Sequence, residues 1–241
     1  MARKRGQVSE AAGFAIDPAP PHHMGHRERL RARFLEGGAD AMPDYEILEF
    51  VLFAAIDRKD TKPLAKELIA RFGSFADVIA APRERLEEMD LNSRIIAQLK
   101  IVEAAALRLL KTRLIGKPAI SSWTALIDYC AAAMGRNPTE EFRVLFLDRK
   151  NVLIADEVQS RGTVDHAPVY PREIVKRALQ LEESSLILVH NHPSGDPSPS
   201  RADIEMTREI VAAAKALKIA VHDHLVIGRG SHASFKSLGL L

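Results

Sequence analysis

The sequence predicts an α/β protein in two parts, an all-α helical module followed by an α/β sandwich around a mixed, curved sheet. From Arg27 to Leu114 apolar residues recur at helical spacing alone, whereas beyond Ile115-Gly116-Lys117-Pro118 strand-like and helix-like segments alternate. A further observation marks where chemistry is expected. His190 and His192 stand two apart at the end of the apolar run Leu186-Ile187-Leu188-Val189, and a Pro- and Gly-rich loop leads from them to Ser200 and Asp203.

Taken in order, residues 1–21 are rich in Ala, Gly and Pro without any period and read as a disordered tail. Basic residues at positions 3–5 have no apolar segment behind them, so the anatomy of a secretory signal is missing. The helical module is expected over residues 22–114. His22, His23 and His26 lack a nearby carboxylate or thiol partner in sequence and read as solvated. Asp44 is expected to cap a helix carrying Ile47, Leu48, Val51 and Leu52, and Thr61 another carrying Leu64, Leu68 and Ile69. A longer helix from Ser93 aligns Ile95, Leu99, Val102, Ala106 and Leu109 on one face.

The breaker at 115–118 marks the boundary of a second domain over 119–241. There we expect a helix from Trp123 to Met134, a strand from Phe142 to Leu147, a turn at 148–151 and a strand from Val152 to Val158. Pro171 opens a helix with Ile174, Val175, Ala178 and Leu181 on one face, since its fixed φ suits the first helical position. The Leu186–Val189 strand, a helix from Ile204 to Lys218, a strand from Ile219 to Ile227 and a short strand at Ser234–Lys236 complete the domain.

Composition bounds the function. With 241 residues, 46% hydrophobic and 27% charged, the chain is ordinary globular material, and a net charge of +2 does not select nucleic acid as a partner. No apolar run approaches a membrane span. One cysteine, Cys130, excludes an internal disulfide and fits a reducing cytoplasm; in its Ala-rich helix it reads as a packed, inert thiol. A cytoplasmic protein without a membrane partner is expected.

Side chains of an extended strand repeat every second residue, so His190 and His192 point to one side, and Asp203 in the first turn of the next helix can fold back onto them. Two nitrogens and one carboxylate oxygen make three protein ligands, the count typical of a catalytic zinc that keeps one position open. Zinc is favoured as a borderline, redox-inert ion, one per chain. Ser200 and Asp203 also spell a helix-capping box. A purely structural reading needs several independent coincidences; a metal needs one.

The pattern His-x-His-Pro, six residues, Ser, two residues, Asp is that of the JAMM (MPN-type) zinc metallopeptidases. Together with Gly162-Thr163, Tyr170-Pro171-Arg172-Glu173 and Asp223-His224, it makes the chain resemble the bacterial RadC family from about Arg27 to Leu241, most closely from Glu157 onward. The resemblance implies that His190, His192 and Asp203 hold zinc and that the Ser200 hydroxyl hydrogen-bonds the oxyanion of a tetrahedral intermediate. It places the catalytic glutamate on an earlier strand just before a Gly-Thr turn, which selects Glu157 as general base. Neighbouring Asp156 falls on the other sheet face with Val152, Ile154 and Val158 by alternation.

The implied activity is hydrolysis of a peptide or isopeptide bond. Two other readings stand beside it: a DNA-repair or mobile-element accessory protein that uses the fold as a binding platform, and a metal-dependent nuclease. His222 and His224 face the same way on their strand but lack a nearby carboxylate to complete a second metal site and are discounted as ligands; for Asp223-His224 the resemblance implies a structural or supporting role. His166 is a candidate substrate contact. The helical module resembles helix-hairpin-helix DNA-binding units, whose Gly-hydrophobic-Gly hairpin offers N–H groups to phosphates. Here the stretch is Met89-Asp90-Leu91-Asn92-Ser93-Arg94, without either glycine and with Asp90 where a phosphate would approach, so a weakened DNA grip is expected. Asn92, which tolerates left-handed geometry, is expected to preserve the turn.

Overall fold

The computed structural model describes residues 25–57, 59–162 and 169–241; the expected tail, His22, His23, Thr163 and His166 lie outside them. The first half is helical: α1 (His26–Gly37), α2 (Asp44–Leu52), α3 (Lys62–Phe72), α4 (Phe75–Ala80), α5 (Arg83–Glu87) and α6 (Ser93–Thr112). They enclose a core that includes Leu48, Leu52, Leu68, Val78, Leu86 and Leu99. His26 is not solvated as expected. Its Nε2 lies 2.7 Å from the Glu49 carboxylate, because α1 packs across α2 and places the ring over a buried acid.

Three local expectations are corrected. Asp44 is the first residue of α2 with Pro43 at the cap, and its carboxylate instead accepts from the Phe75 N–H at 2.8 Å, serving the start of α4. Thr61 stands at the cap of α3, but its buried hydroxyl makes no capping bond. In the hairpin before α6, Asp90 takes the left-handed conformation (φ 55°), while Asn92 is extended and caps α6 by accepting from the Ile95 N–H at 3.0 Å. An N-cap needs β-region dihedrals, so Asn92 cannot also supply the left-handed turn.

The single apolar stripe expected along α6 is also divided. Ile95, Ile96 and Leu99 are buried in the helical core, whereas Ala106 and Leu109 are exposed and Leu110 packs against the core of the second half. A helix of 20 residues is about 30 Å long by its rise of 1.5 Å per residue, longer than the small helical core can cover.

The second half comprises α7 (Trp123–Met134), β1 (Glu141–Leu147), β2 (Leu153–Arg161), α8 (Pro171–Gln180), β3 (Ser185–Asn191), α9 (Arg201–Ala216), β4 (Ala220–Ile227) and β5 (His232–Ser234). The strands form an open, mixed sheet in the order β2-β1-β3-β4-β5, with β3 and β4 parallel and the other neighbours antiparallel. Alternation along each strand feeds two cores. Leu145, Ile187, Val189 and Leu225 pack against α7 with Cys130, whose thiol burial pushes up to about 12. Phe142, Val144, Leu186 and Leu188 pack beneath α8 and α9. The last helix begins three residues earlier than expected, since Ser200 caps it at Arg201; β5 likewise lies at 232–234, two residues before its expected start.

Candidate metal centre

The β3–α9 connection brings the end of a strand to the start of a helix, and three side chains meet there. His190 and His192 present their Nε2 atoms 3.0 Å apart; Asp203 Oδ1 lies 3.4 Å from the first and Oδ2 3.4 Å from the second. Among the described residues these three are the one cluster of metal-ligating side chains with donor atoms close enough to share an ion. A tetrahedral zinc with bonds of about 2.0–2.1 Å holds its ligand atoms roughly 3.3 Å apart. The donor set therefore fits such an ion in type and in spacing.

The outer nitrogens of both rings are engaged, which sets the direction of the inner ones. His192 Nδ1 lies 2.8 Å from the Asp196 carbonyl and can only donate to it. The Thr207 hydroxyl donates to the Asp203 carbonyl at 2.6 Å, so its oxygen accepts from His224 Nδ1–H at 2.6 Å. His224 Nε2 is then a bare acceptor for His190 Nδ1–H at 2.8 Å, and His190 Nε2 is left with its lone pair facing inward. Phe235 stacks on the His224 ring with centroids 4.5 Å apart and fixes its plane. Burial, reinforced by the His190 charge, holds His224 well below the usual histidine range, so it stays neutral in this relay.

Two inward lone pairs and a carboxylate at such distances repel one another unless a cation lies between them. Without metal, protons take that part. Hydrogen bonding to Asp203 raises the His192 imidazole above its usual range against the cost of burial. Burial works to raise the Asp203 carboxyl, but hydrogen bonds with His190 and His192 outweigh it and hold the group far below the carboxylate range.

Ser200 and Asp203 also form the capping box. The serine oxygen accepts from the Asp203 N–H at 3.1 Å, and Asp203 Oδ2 accepts from the Ser200 N–H at 2.7 Å. The box and the metal reading are one device: the cap fixes the carboxylate in the positive field of the helix start while its oxygens face the histidines. The Ser200 hydroxyl hydrogen has no acceptor among the described residues.

The sheet sorts the acids. Asp156 lies on the α7 face as alternation requires, held by Arg143 at 2.7 Å and by the Tyr129 hydroxyl. Glu157 lies on the other face, but β2 is the sheet edge and the Arg177 guanidinium of α8 clasps both its oxygens, at 2.6–3.1 Å. This pairing holds the Glu157 carboxyl below its usual range, and the residue lines neither of the two cavities onto which the triad opens. Glu140 does what Glu157 does not. It lines both cavities, sharing one with His192, Ser200 and Asp203 and the other with His190 and Asp203. Continuing the β1–β3 ladder two residues past Phe142↔His190 brings it level with His192, whose imidazole its charge helps to raise. The signal was the acid pair Glu140-Glu141 ahead of a strand; only the register against β3 reveals which one faces the histidines.

An open mixed sheet flanked by helices, with a His-His-Asp cluster at a strand-to-helix junction, defines a JAB-type α/β fold. The model of the RadC-like JAB domain matches residues 120–240. The chain is 63% identical over 213 residues to a UPF0758 protein of Rhodobacter capsulatus, an alignment covering 88% of this chain and all of that one. It is 56% identical over 223 residues to a UPF0758 protein of Ruegeria pomeroyi, covering 92% of this chain and all of the relative. The chain belongs to the RadC family.

Proposed function

We propose that the chain is a zinc-dependent amide hydrolase, a peptidase or isopeptidase, with His190, His192 and Asp203 as the metal ligands and Glu140 in place of Glu157 as general base. The observation that carries this is the inward convergence of two imidazole lone pairs and a carboxylate whose outer contacts are all engaged. Zinc held there would act as a Lewis acid, polarising an amide carbonyl and bringing the pKa of water down toward about 7.

The chain's own groups supply the remaining steps. Glu140 takes a proton from the attacking water and returns it to the leaving amine, for which its place beside His192 in both cavities suits it. Ser200, its oxygen already engaged by the Asp203 N–H, donates its hydrogen to the oxyanion that develops on the substrate. Glu157 serves to tie β2 to α8 through Arg177. The DNA-binding reading is disfavoured by Asp90, which carries its charge on the left-handed residue of the hairpin.

The test is zinc-loaded full-length protein assayed on quenched-fluorescence peptide libraries and on a lysine-linked isopeptide, with Glu140→Gln and Glu157→Gln compared. Loss of a general base costs about 10²–10⁴-fold in kcat, so the first substitution should abolish detectable turnover and the second should leave most of it. The reverse pattern would return the base to Glu157. Loss of phosphodiester cleavage, without any amide cleavage by the native protein, would assign the metal to a nuclease.

A further inference from the structure

The helical half and the α/β half meet over a cavity of about 690 Å³, whose floor holds His192, Glu140, Ser200 and Asp203. Its volume falls in the range of about 300–1,000 Å³ typical of clefts that enclose a small ligand. One wall comes from the helical half, with Phe72, Ala81 and Pro82 as its apolar surface. Four arginines line the same space: Arg71 and Arg85 from that wall, Arg136 after α7 and Arg229 after β4.

Two of these arginines are committed. Arg136 bonds Asp77 at 2.9 Å across the junction of the halves, and Arg85 pairs with Glu88 at 3.1 Å. The side chains of Arg71 and Arg229 make no ion pair or hydrogen bond with any described residue. Arg229 is nevertheless held in place. Its N–H donates to the Gly195 carbonyl at 3.1 Å, and a Cβ on Gly228 would stand 2.3 Å from that same carbonyl oxygen. Backbone packed this closely fixes the 228–229 turn against the histidine loop, so Arg229 is presented from a rigid base.

We propose that this cleft is the substrate-binding site and that it takes a peptide segment bearing a carboxylate side chain near the bond to be cut, recognised by Arg71 and Arg229. Guanidinium groups bind carboxylates through two parallel hydrogen bonds, and Phe72 and Pro82 offer apolar surface to the rest of the segment. A polynucleotide fits less well, because Asp77 and Glu140 stand among the arginines and repel a continuous row of phosphates while leaving room for a single acid. The helical half thereby becomes one wall of the substrate site. The inference rests on the proposed hydrolase for its placement of the bound acid beside a scissile amide.

The test measures binding and cleavage separately. Full-length, zinc-loaded protein is titrated with two labelled eight-residue peptides that differ only in Glu or Gln at alternate positions, and with single- and double-stranded DNA oligonucleotides of the same charge. The double variant Arg71→Ala/Arg229→Ala is compared with the charge-matched surface control Arg208→Ala/Lys215→Ala, with folding checked by thermal melts. Hydrogen bonds to a charged partner are worth about 1.5–3 kcal/mol, so the Glu peptide should bind at least about tenfold more tightly than the Gln peptide. That preference should vanish in the arginine variant and persist in the control. Equal binding of the two peptides, a preference that survives loss of both arginines, or DNA that displaces the acidic peptide would overturn the inference. The two readings fail separately. Metal-dependent cleavage without acidic preference removes only the cleft, whereas acidic preference in a protein that binds no metal removes the hydrolase and keeps the cleft.

Discussion

Two buried polar clusters lie on opposite faces of the same sheet, and they are built on different principles. On the α7 face, Arg143 is clamped between Glu141 at 2.9 Å and Asp156 at 2.7 Å, with Arg161, Lys111 and the Tyr129 hydroxyl completing the set. Every charge there has an opposite charge beside it. On the α9 face, His224, His190, His192 and Asp203 form a chain whose hydrogen bonds all run outward and whose lone pairs meet at one point. The first cluster is complete as folded and ties strands together; the second has donors that only a shared cation would balance together. That difference marks the candidate site more sharply than burial or the number of titratable groups does.

The strongest test of the contrast is metal content. Native protein should carry roughly one zinc per chain after dialysis, and His190→Ala or Asp203→Ala should carry none, since a three-ligand site reduced to two loses its chelation. Asp156→Ala should behave oppositely. It should retain the metal and lose about 3 kcal/mol of stability in denaturant melts, the lower end for breaking a buried pair because Arg143 keeps Glu141. A destabilised Asp156→Ala protein that also lost its zinc would show that the two clusters are one unit.

A finer distinction concerns His224 and Thr207, which touch no ion yet direct His190. His224→Ala or Thr207→Val should weaken zinc binding by about 10–100-fold in competition titrations, as loss of an orienting partner does. Unchanged affinity would mean that the His190 ring is held by packing alone, for instance by Phe142, whose ring lies 6.3 Å away.

Much of the site was legible because its parts are close in sequence. The His-x-His spacing and the Ser-x-x-Asp cap are local patterns, and strand alternation and helix capping act on them wherever the chain goes. The place of Glu140 beside the histidines was hidden because it depends on the register of β1 against β3, a contact between residues some fifty positions apart that hydrophobic periodicity does not encode. The family resemblance selected Glu157, on a strand ahead of the Gly-Thr turn, and a residue twenty positions later, Arg177, holds that carboxylate. The same limit explains Asn92 and Asp90: both tolerate a left-handed turn, and only the cap bond decides which is free to make it. The cleft between the helical and α/β halves was likewise invisible, since its arginines come from four separate segments.

Glu183 sharpens the comparison by a smaller effect. It too is a buried group without compensation, for neither carboxylate oxygen has a partner among the described residues, and no other donors among them converge on it. Burial, with the Asp148 charge adding to it, raises its carboxyl to about 6. Between about 4.5 and 6 the folded protein therefore binds more protons here than the unfolded chain, and stability is lost as pH rises through that window. The displacement corresponds to about 2 kcal/mol above pH 6. Glu183→Gln should accordingly melt higher than the native protein at pH 8, by the equivalent of about 1–2 kcal/mol, with the advantage gone below pH 4.5. Equal melting temperatures at pH 8 would mean that the carboxylate is compensated after all. An uncompensated charge would then no longer be a feature shared by this strain point and the candidate metal centre, and convergence of several donors alone would distinguish the site.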